Sequence, residues 1–172
     1  DHILQYNNCH GRHMAPIIPP IRNAVRAVIR RDNSILLLRK DGYEQGEGER
    51  FALPGGGQDL GETLEQALNR ECLEEIATRV EIHDLVYVAD YFKPRETIPH
   101  STRHLVEFLF TCSVPADYEP RSGHHPDKHQ VEVVWVGLDA LAGMPLNPGS
   151  LIPYLAETGE STGTVYLGTI DW

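Results

Sequence analysis

A chain of 172 residues with 41% hydrophobic and 23% charged side chains is long enough to bury one sizeable core and ordinary in composition for a globular protein. Its formal charge of −10 argues against general affinity for nucleic acid or an anionic membrane, both of which select a basic surface. The cysteines, Cys9, Cys72 and Cys112, are odd in number and widely spaced, which excludes a disulfide framework and points to a reducing, cytoplasmic compartment; no stretch reaches the length of a membrane-spanning helix and no secretory pattern opens the chain.

Residues 1–13 are polar and aperiodic, and His13-Met14 resembles a cloning junction, so 1–13 is read as a leader and 14–172 as a single domain. Cys9, His10 and His13 are assigned to that leader rather than to a metal site. Arg22 to Arg30 reads as a strand, Asp32-Asn33 as a turn and Ile35 to Leu38 as the returning strand. Asp41 to Glu49 is a loop, and Arg50 to Leu53 a short strand with Phe51 as a core aromatic.

Pro54-Gly55-Gly56-Gly57 then ends that strand, because proline lacks a donor and the glycines adopt angles closed to other residues. A helix follows. Thr63 and Gln66 have capping-box spacing, and Leu64, Leu68, Cys72 and Ile76 recur every fourth residue as one apolar stripe. Helical spacing also brings Glu71, Glu74 and Glu75 onto one arc, where the like charges repel by a few tenths of a kcal/mol per pair. A divalent cation reverses that sign, and an oxygen-only donor set suits Mg²⁺ or Mn²⁺. The alternative is a solvated acidic face.

Val80 to Phe92 is rich in strand formers, Lys93 to Ser101 contains Pro94 and Pro99 and reads as a loop, and Arg103 to Cys112 as a buried strand. Pro115 to Lys128 is a second loop and Gln130 to Val136 a strand. Short helices are expected from Gly137 and over Ser150 to Glu157, with Ser150 as cap, and a terminal strand over Val165 to Leu167. Strands interleaved with helices predict an α/β fold, an α/β/α sandwich on a mixed central sheet.

Gly56, Glu62, Arg70, Glu71, Glu74 and Glu75 fall on G-x₅-E-x₇-R-E-U-x-E-E-x-G-U, in which U is a bulky aliphatic residue. That stretch resembles the signature of the Nudix (MutT-like) hydrolases. Cys72 and Thr78 stand at U positions and Ala77 replaces the last glycine, which predicts a reshaped helix exit; no departure touches a carboxylate.

The resemblance implies a Mg²⁺-dependent pyrophosphohydrolase, with Mn²⁺ as substitute, that splits a nucleoside diphosphate-X compound such as ADP-ribose, a nucleotide sugar or a nucleoside triphosphate. It implies that Glu71 ligates metal and acts as general base, that Glu74, Glu75 and the Gly55 carbonyl complete the metal shell, and that Arg70 and Glu62 orient the cluster. A further acid outside the signature is sought in Glu132 or, after it, Glu107. Lys93, Arg95 and Arg103 are candidate phosphate contacts and Tyr43, Tyr91 and Phe92 candidate stacking rings, against surface charge and core packing as the alternatives. Pro94 lies near the position at which ADP-ribose-cleaving members tend to carry a proline. His124, His125 and His129 read as solvated loop residues rather than a second metal site. The expected partner is a small diphosphate compound, not nucleic acid or membrane, with a homodimer as a family expectation. Two other readings stay open: a nucleotide-sensing module without turnover, and a non-nucleotide diphosphate hydrolase on the same fold.

Overall fold

The computed structural model describes residues 20–41, 48–95, 101–157 and 162–171. The proposed leader 1–13 with Cys9, His10 and His13, together with Tyr43 and Pro99, lies outside these residues, as do the side chains of Pro94 and Arg95.

Seven strands form one mixed sheet: β1 (Arg22–Arg31), β2 (Ser34–Lys40), β3 (Arg50–Ala52), β4 (Glu81–Arg95), β5 (Ser101–Ser113), β6 (Gln130–Gly137) and β7 (Val165–Ile170). Their order is β3-β2-β1-β5-β4-β7, with β6 on the other edge of β2. β1 is the hinge of this arrangement. It runs parallel to β5 from Arg22↔Leu105 to Ile29↔Cys112, yet meets β2 only at Arg30↔Ile35 and Arg31↔Ser34.

The free half of its second edge is taken by the glycine loop. Val25 N–H donates to Gly56 O at 2.9 Å, Ala27 N–H to Pro54 O at 2.9 Å, and Gln58 N–H to Asn23 O at 3.1 Å. The backbone donors left over where β1 and β2 part are thereby satisfied, and the loop is fixed in the plane of the sheet.

Helix α1 (Leu64–Ile76) covers one face. Leu68, Cys72 and Ile76 are fully buried against Val25, Ala27, Ile29, Leu36 and Phe110, while Leu64 packs partly buried at the edge of the same cluster. Each large side chain on that stripe contributes roughly 1.5–3 kcal/mol by leaving water. The predicted capping box is present: Gln66 N–H donates to Thr63 Oγ1 at 3.2 Å and Thr63 N–H to Gln66 Oε1 at 2.8 Å. The opposite face packs Leu141, Leu151, Leu155 and Ile170 on Val28, Leu37, Ala89 and Leu109. The α/β/α layering holds, with the second layer thin, since it consists of 3₁₀ turns at Leu138–Gly143 and Gly149–Leu151 and the short α2 (Ile152–Ala156).

Three local expectations are corrected. β4 does not stop at Phe92: it runs through Pro94 to Arg95, paired with β5 to Arg95↔Ser101, so Lys93, Pro94, Arg95 and Ser101 of the expected loop are strand. Ser150 is no helix cap; its hydroxyl donates to Asp171 O at 3.2 Å and accepts from Asp171 N–H at 2.9 Å, which ties down the end of β7. The exit of α1 is not reshaped by the missing glycine, because Ala77 itself takes the left-handed cap conformation, φ 57° and ψ 26°. That placement costs about 1–2 kcal/mol of steric energy for a residue with a Cβ.

Candidate active site

A cleft of about 270 Å³ opens where β1 and β2 diverge. Gly55, Gly56 and Gly57 form one lip, Glu71 and Glu75 rise from α1, and Arg26, Tyr91, Lys93, Arg103 and Asp127 form the opposing wall.

The glycines are required by close approach. At Gly55, φ +131°, a Cβ would stand 2.0 Å from the Val25 carbonyl oxygen. At Gly56 it would stand 2.5 Å from Glu71 Oε1, so the loop backbone lies directly against that carboxylate. Gly55 N–H donates to Glu75 Oε2 at 2.8 Å, joining the loop to the helix from the other side.

Arg70 organises the helix carboxylates. Its Nε and Nη2 donate to the two oxygens of Glu62 at 2.7 and 3.0 Å, Nη1 to Glu71 Oε1 at 2.9 Å, and Nη2 also to the Gly57 carbonyl at 2.9 Å. Glu74 Oε2 stands farther off, 3.6 Å from Nη1. The bidentate partner of Arg70 is therefore Glu62, eight residues back, rather than Glu74 on the helix surface. Glu62 also accepts from Asp59 N–H at 3.0 Å, and its carboxyl is held below the ordinary range by the Arg70 and Asp59 donors.

Glu71 and Glu75 are pushed the other way. Burial raises the Glu71 carboxyl against the pull of Arg70, and Glu75, 2% exposed, is pushed up to about 8 chiefly by burial. A buried carboxyl with one hydrogen bond is short of positive charge, and ionising it calls for a cation.

The donor chemistry fits a hard divalent ion: carboxylates of Glu71, Glu74 and Glu75 beside backbone carbonyls of a glycine loop. In the side-chain positions shown, no three acidic, histidine or cysteine groups among the described residues converge on one point. Glu71 and Glu74 are turned toward Arg70, and the Gly55 carbonyl accepts from Arg26 Nη1 at 2.5 Å.

The remaining predicted residues separate. Glu132 lies on the surface of β6, half exposed and ion-paired with Arg39 at 2.9 Å, and does not line the cleft. Glu107 is 2% exposed and chelated by Arg26 at 2.7 and 3.2 Å. Asp127, for which no role was expected, reaches the cleft and pairs with Lys40; its carboxyl sits low because Lys40 and Arg26 outweigh its burial. Its only signal in the sequence is an acidic residue at the end of a long loop.

Lys93 and Arg103 line the cleft, as does Tyr91, whose hydroxyl donates to Asn147 Oδ1 at 3.0 Å. Phe92 points to the other face of β4, stacked on His104 at 4.4 Å between centroids. His124 and His125 are exposed and pack edge to face at 4.8 Å.

The loop that carries Asp127 is strapped to the end of α1. Gly123 N–H donates to Glu75 O and His125 N–H to Glu74 O, each at 3.1 Å, and Gln130 Nε2 donates to Glu75 O at 2.8 Å. These bonds satisfy carbonyls that the end of a helix leaves open.

Residues 20–155 match the profile of the NUDIX domain. The chain belongs to the Nudix hydrolase family. Among curated proteins, this Nudix chain is 31% identical over 139 residues to the NAD-capped RNA hydrolase NudC of Photorhabdus laumondii, covering 81% of the chain and 46% of that protein. It is 32% identical over 151 residues to NudC of Yersinia pestis, covering 88% and 50%. The chain thus spans about half the length of the curated relatives it matches. Among solved structures, it superposes on an ADP-ribose pyrophosphatase from Streptococcus suis with TM-score 0.59 at 20% identity, covering 86% of this chain and 99% of that one. The MutT protein from Bacillus halodurans superposes with TM-score 0.60 at 16% identity, covering 85% and 87%; at these identities the likeness concerns the Nudix fold. No helix among the described residues is long and apolar enough to cross a membrane.

Proposed function

We propose that the chain is a Mg²⁺-dependent pyrophosphohydrolase that cleaves the diphosphate bond of a nucleoside diphosphate-X compound. The observation that carries this reading is the buried Glu75 beside Glu71, on a helix locked to the glycine loop through the Glu62–Arg70–Glu71 network. A bound Mg²⁺ would neutralise the phosphate oxygens and acidify a water.

This chain's residues do the rest. Glu71, Glu74 and Glu75 would hold the ion, and Glu71, raised by burial, would accept the proton of the attacking water. Arg70 holds Glu71 in place through a fork anchored on Glu62 and the Gly57 carbonyl. Lys93 and Arg103 face the diphosphate across the cleft. Asp127, rather than Glu132, supplies the acid from outside the helix.

The relatives named NAD-capped RNA hydrolase favour, among these compounds, an NAD-type diphosphate in which X is a second nucleoside. Phosphate release from NAD, ADP-ribose, nucleotide sugars and nucleoside triphosphates, with and without Mg²⁺, tests the reading when a phosphatase is coupled to the monophosphate products. Turnover that persists in Glu71→Gln and Glu75→Gln refutes it. Nucleotide binding without turnover under any divalent ion marks a sensing module instead.

A further inference from the structure

The described residues bury two carboxyls to the same degree, Glu75 and Glu107, and only the first has a task in the reading above. Glu107 stands on β5 in register with Ala24 of β1, two residues from Arg26, so strand alternation brings both side chains to one face of the sheet. Arg26 Nε and Nη2 donate to the two oxygens of Glu107, and Nη1 donates to the Gly55 carbonyl. Every nitrogen of the guanidinium is thereby held.

Holding it matters because of where it stands. Arg26 lines the cleft with Glu71 and Glu75, and its charge attracts both of those carboxylates. A guanidinium so placed has the sign of the divalent ion and competes with it for the same oxygens. Lys40 already occupies Asp127, so Glu71 and Glu75 are the acceptors to which a released Arg26 would turn. Glu107 itself does not line the cleft; what it touches is the arginine, whose charge it cancels within a buried pair.

We propose that Glu107 is a positioning residue which, by holding Arg26 off the helix carboxylates, reserves Glu71 and Glu75 for the divalent ion. The inference rests on the metal-dependent reading above and adds to it a residue that meets neither ion nor substrate.

Mn²⁺ affinity, read without substrate from the paramagnetic resonance of the free ion, tests it. Glu107→Gln releases Arg26 and is expected to weaken Mn²⁺ binding at least ~10-fold. Arg26→Gln breaks the same pair but removes the competitor, and is expected to bind at least ~3-fold tighter than Glu107→Gln. A pair that served only the fold would lower the affinity alike in both. Circular dichroism confirms folding, and Arg26→Gln/Glu107→Gln, which leaves no buried charge, replaces Arg26→Gln if that variant does not fold. If Glu107→Gln does not fold, the wild type decides: its Arg26 Nε–H resonance is expected to stay protected from solvent exchange on addition of Mg²⁺, and loss of that protection overturns the proposal. A smaller loss in Glu107→Gln, or an Arg26→Gln affinity within ~3-fold of it, also overturns the proposal and leaves the metal site standing. A wild type with no Mn²⁺ affinity removes the metal-dependent reading and this inference together.

Discussion

Replacing Glu75 by glutamine is expected to stabilise the metal-free protein near neutral pH while abolishing its response to Mg²⁺. The carboxyl of Glu75 is pushed from 4.5 to about 8 in the folded state, mainly by burial. The folded chain therefore keeps a proton that the unfolded chain releases across that interval, and stability, complete below the lower value, is lost as pH rises toward the upper one. At pH 7 the interval covers about 2.5 units, and at 1.36 kcal/mol per unit the loss is ~3 kcal/mol. Glutamine stays neutral throughout and still accepts from the Gly55 N–H, so the variant escapes the loss. For a chain of 172 residues the difference amounts to roughly 6–12 °C in Tm. Melting curves in EDTA from pH 5 to 8 are expected to converge at the acid end and separate toward pH 8, the wild type melting lower. Saturating Mg²⁺ is expected to close the gap by stabilising only the wild type. Parallel curves for the two proteins, or a wild-type Tm that climbs over this range, would refute the reasoning.

Glu71→Gln is expected to reduce Mg²⁺-dependent turnover by ~10²–10⁴-fold with Tm changed little, measured as initial rates against metal concentration. Arg70→Lys cannot reproduce the fork to Glu62 with simultaneous contacts to Glu71 and Gly57, and is expected to weaken metal affinity or activity ~10–100-fold, read by Mn²⁺ titration. Ala77→Gly relieves a left-handed cap at a smaller entropic cost and is expected to stabilise by ~0.5–1 kcal/mol in urea unfolding. Gly123→Ala would set a Cβ 2.2 Å from the Glu74 carbonyl oxygen; it is expected to destabilise by ~1–3 kcal/mol and to lower Mn²⁺ affinity as the strap lifts from α1.

The side of the cleft built on α1 was legible because its determinants are local. The capping pair, the apolar stripe, the glycine turn and the Glu62–Arg70 spacing all lie within a few helical turns of one another. The facing wall was not, since Arg26 meets Glu107 across 81 positions and Lys40 meets Asp127 across 87. Nothing in the residues around Asp127 sets it apart from an exposed loop acid until β2 and β6 bring its loop against α1. Pro94 misled for a different reason: proline reads as a breaker, yet β4 carries it near its end and pairs onward with β5. Glu132 and Glu107 look equivalent in alternating strands, and only the third dimension turns one outward onto Arg39 and the other inward onto Arg26.

The fork in β1 separates two tasks within one hollow. Its first half, braced by β5 and the glycine backbone, supports the helix carboxylates, whereas the far bank on β2 and β3 contributes Lys40, Arg50 and Phe51. In the sheet β1 and β2 share only the short hairpin pairing of Arg30 and Arg31, while β3 runs on into the glycine loop and Leu36 of β2 packs under α1, so it is the side chains at the rim of the far bank, not its buried ones, that can be exchanged without disturbing the carboxylate bank. A scaffold split in this way can acquire new substrates by drift along one shore while its hydrolytic apparatus stays anchored on the other.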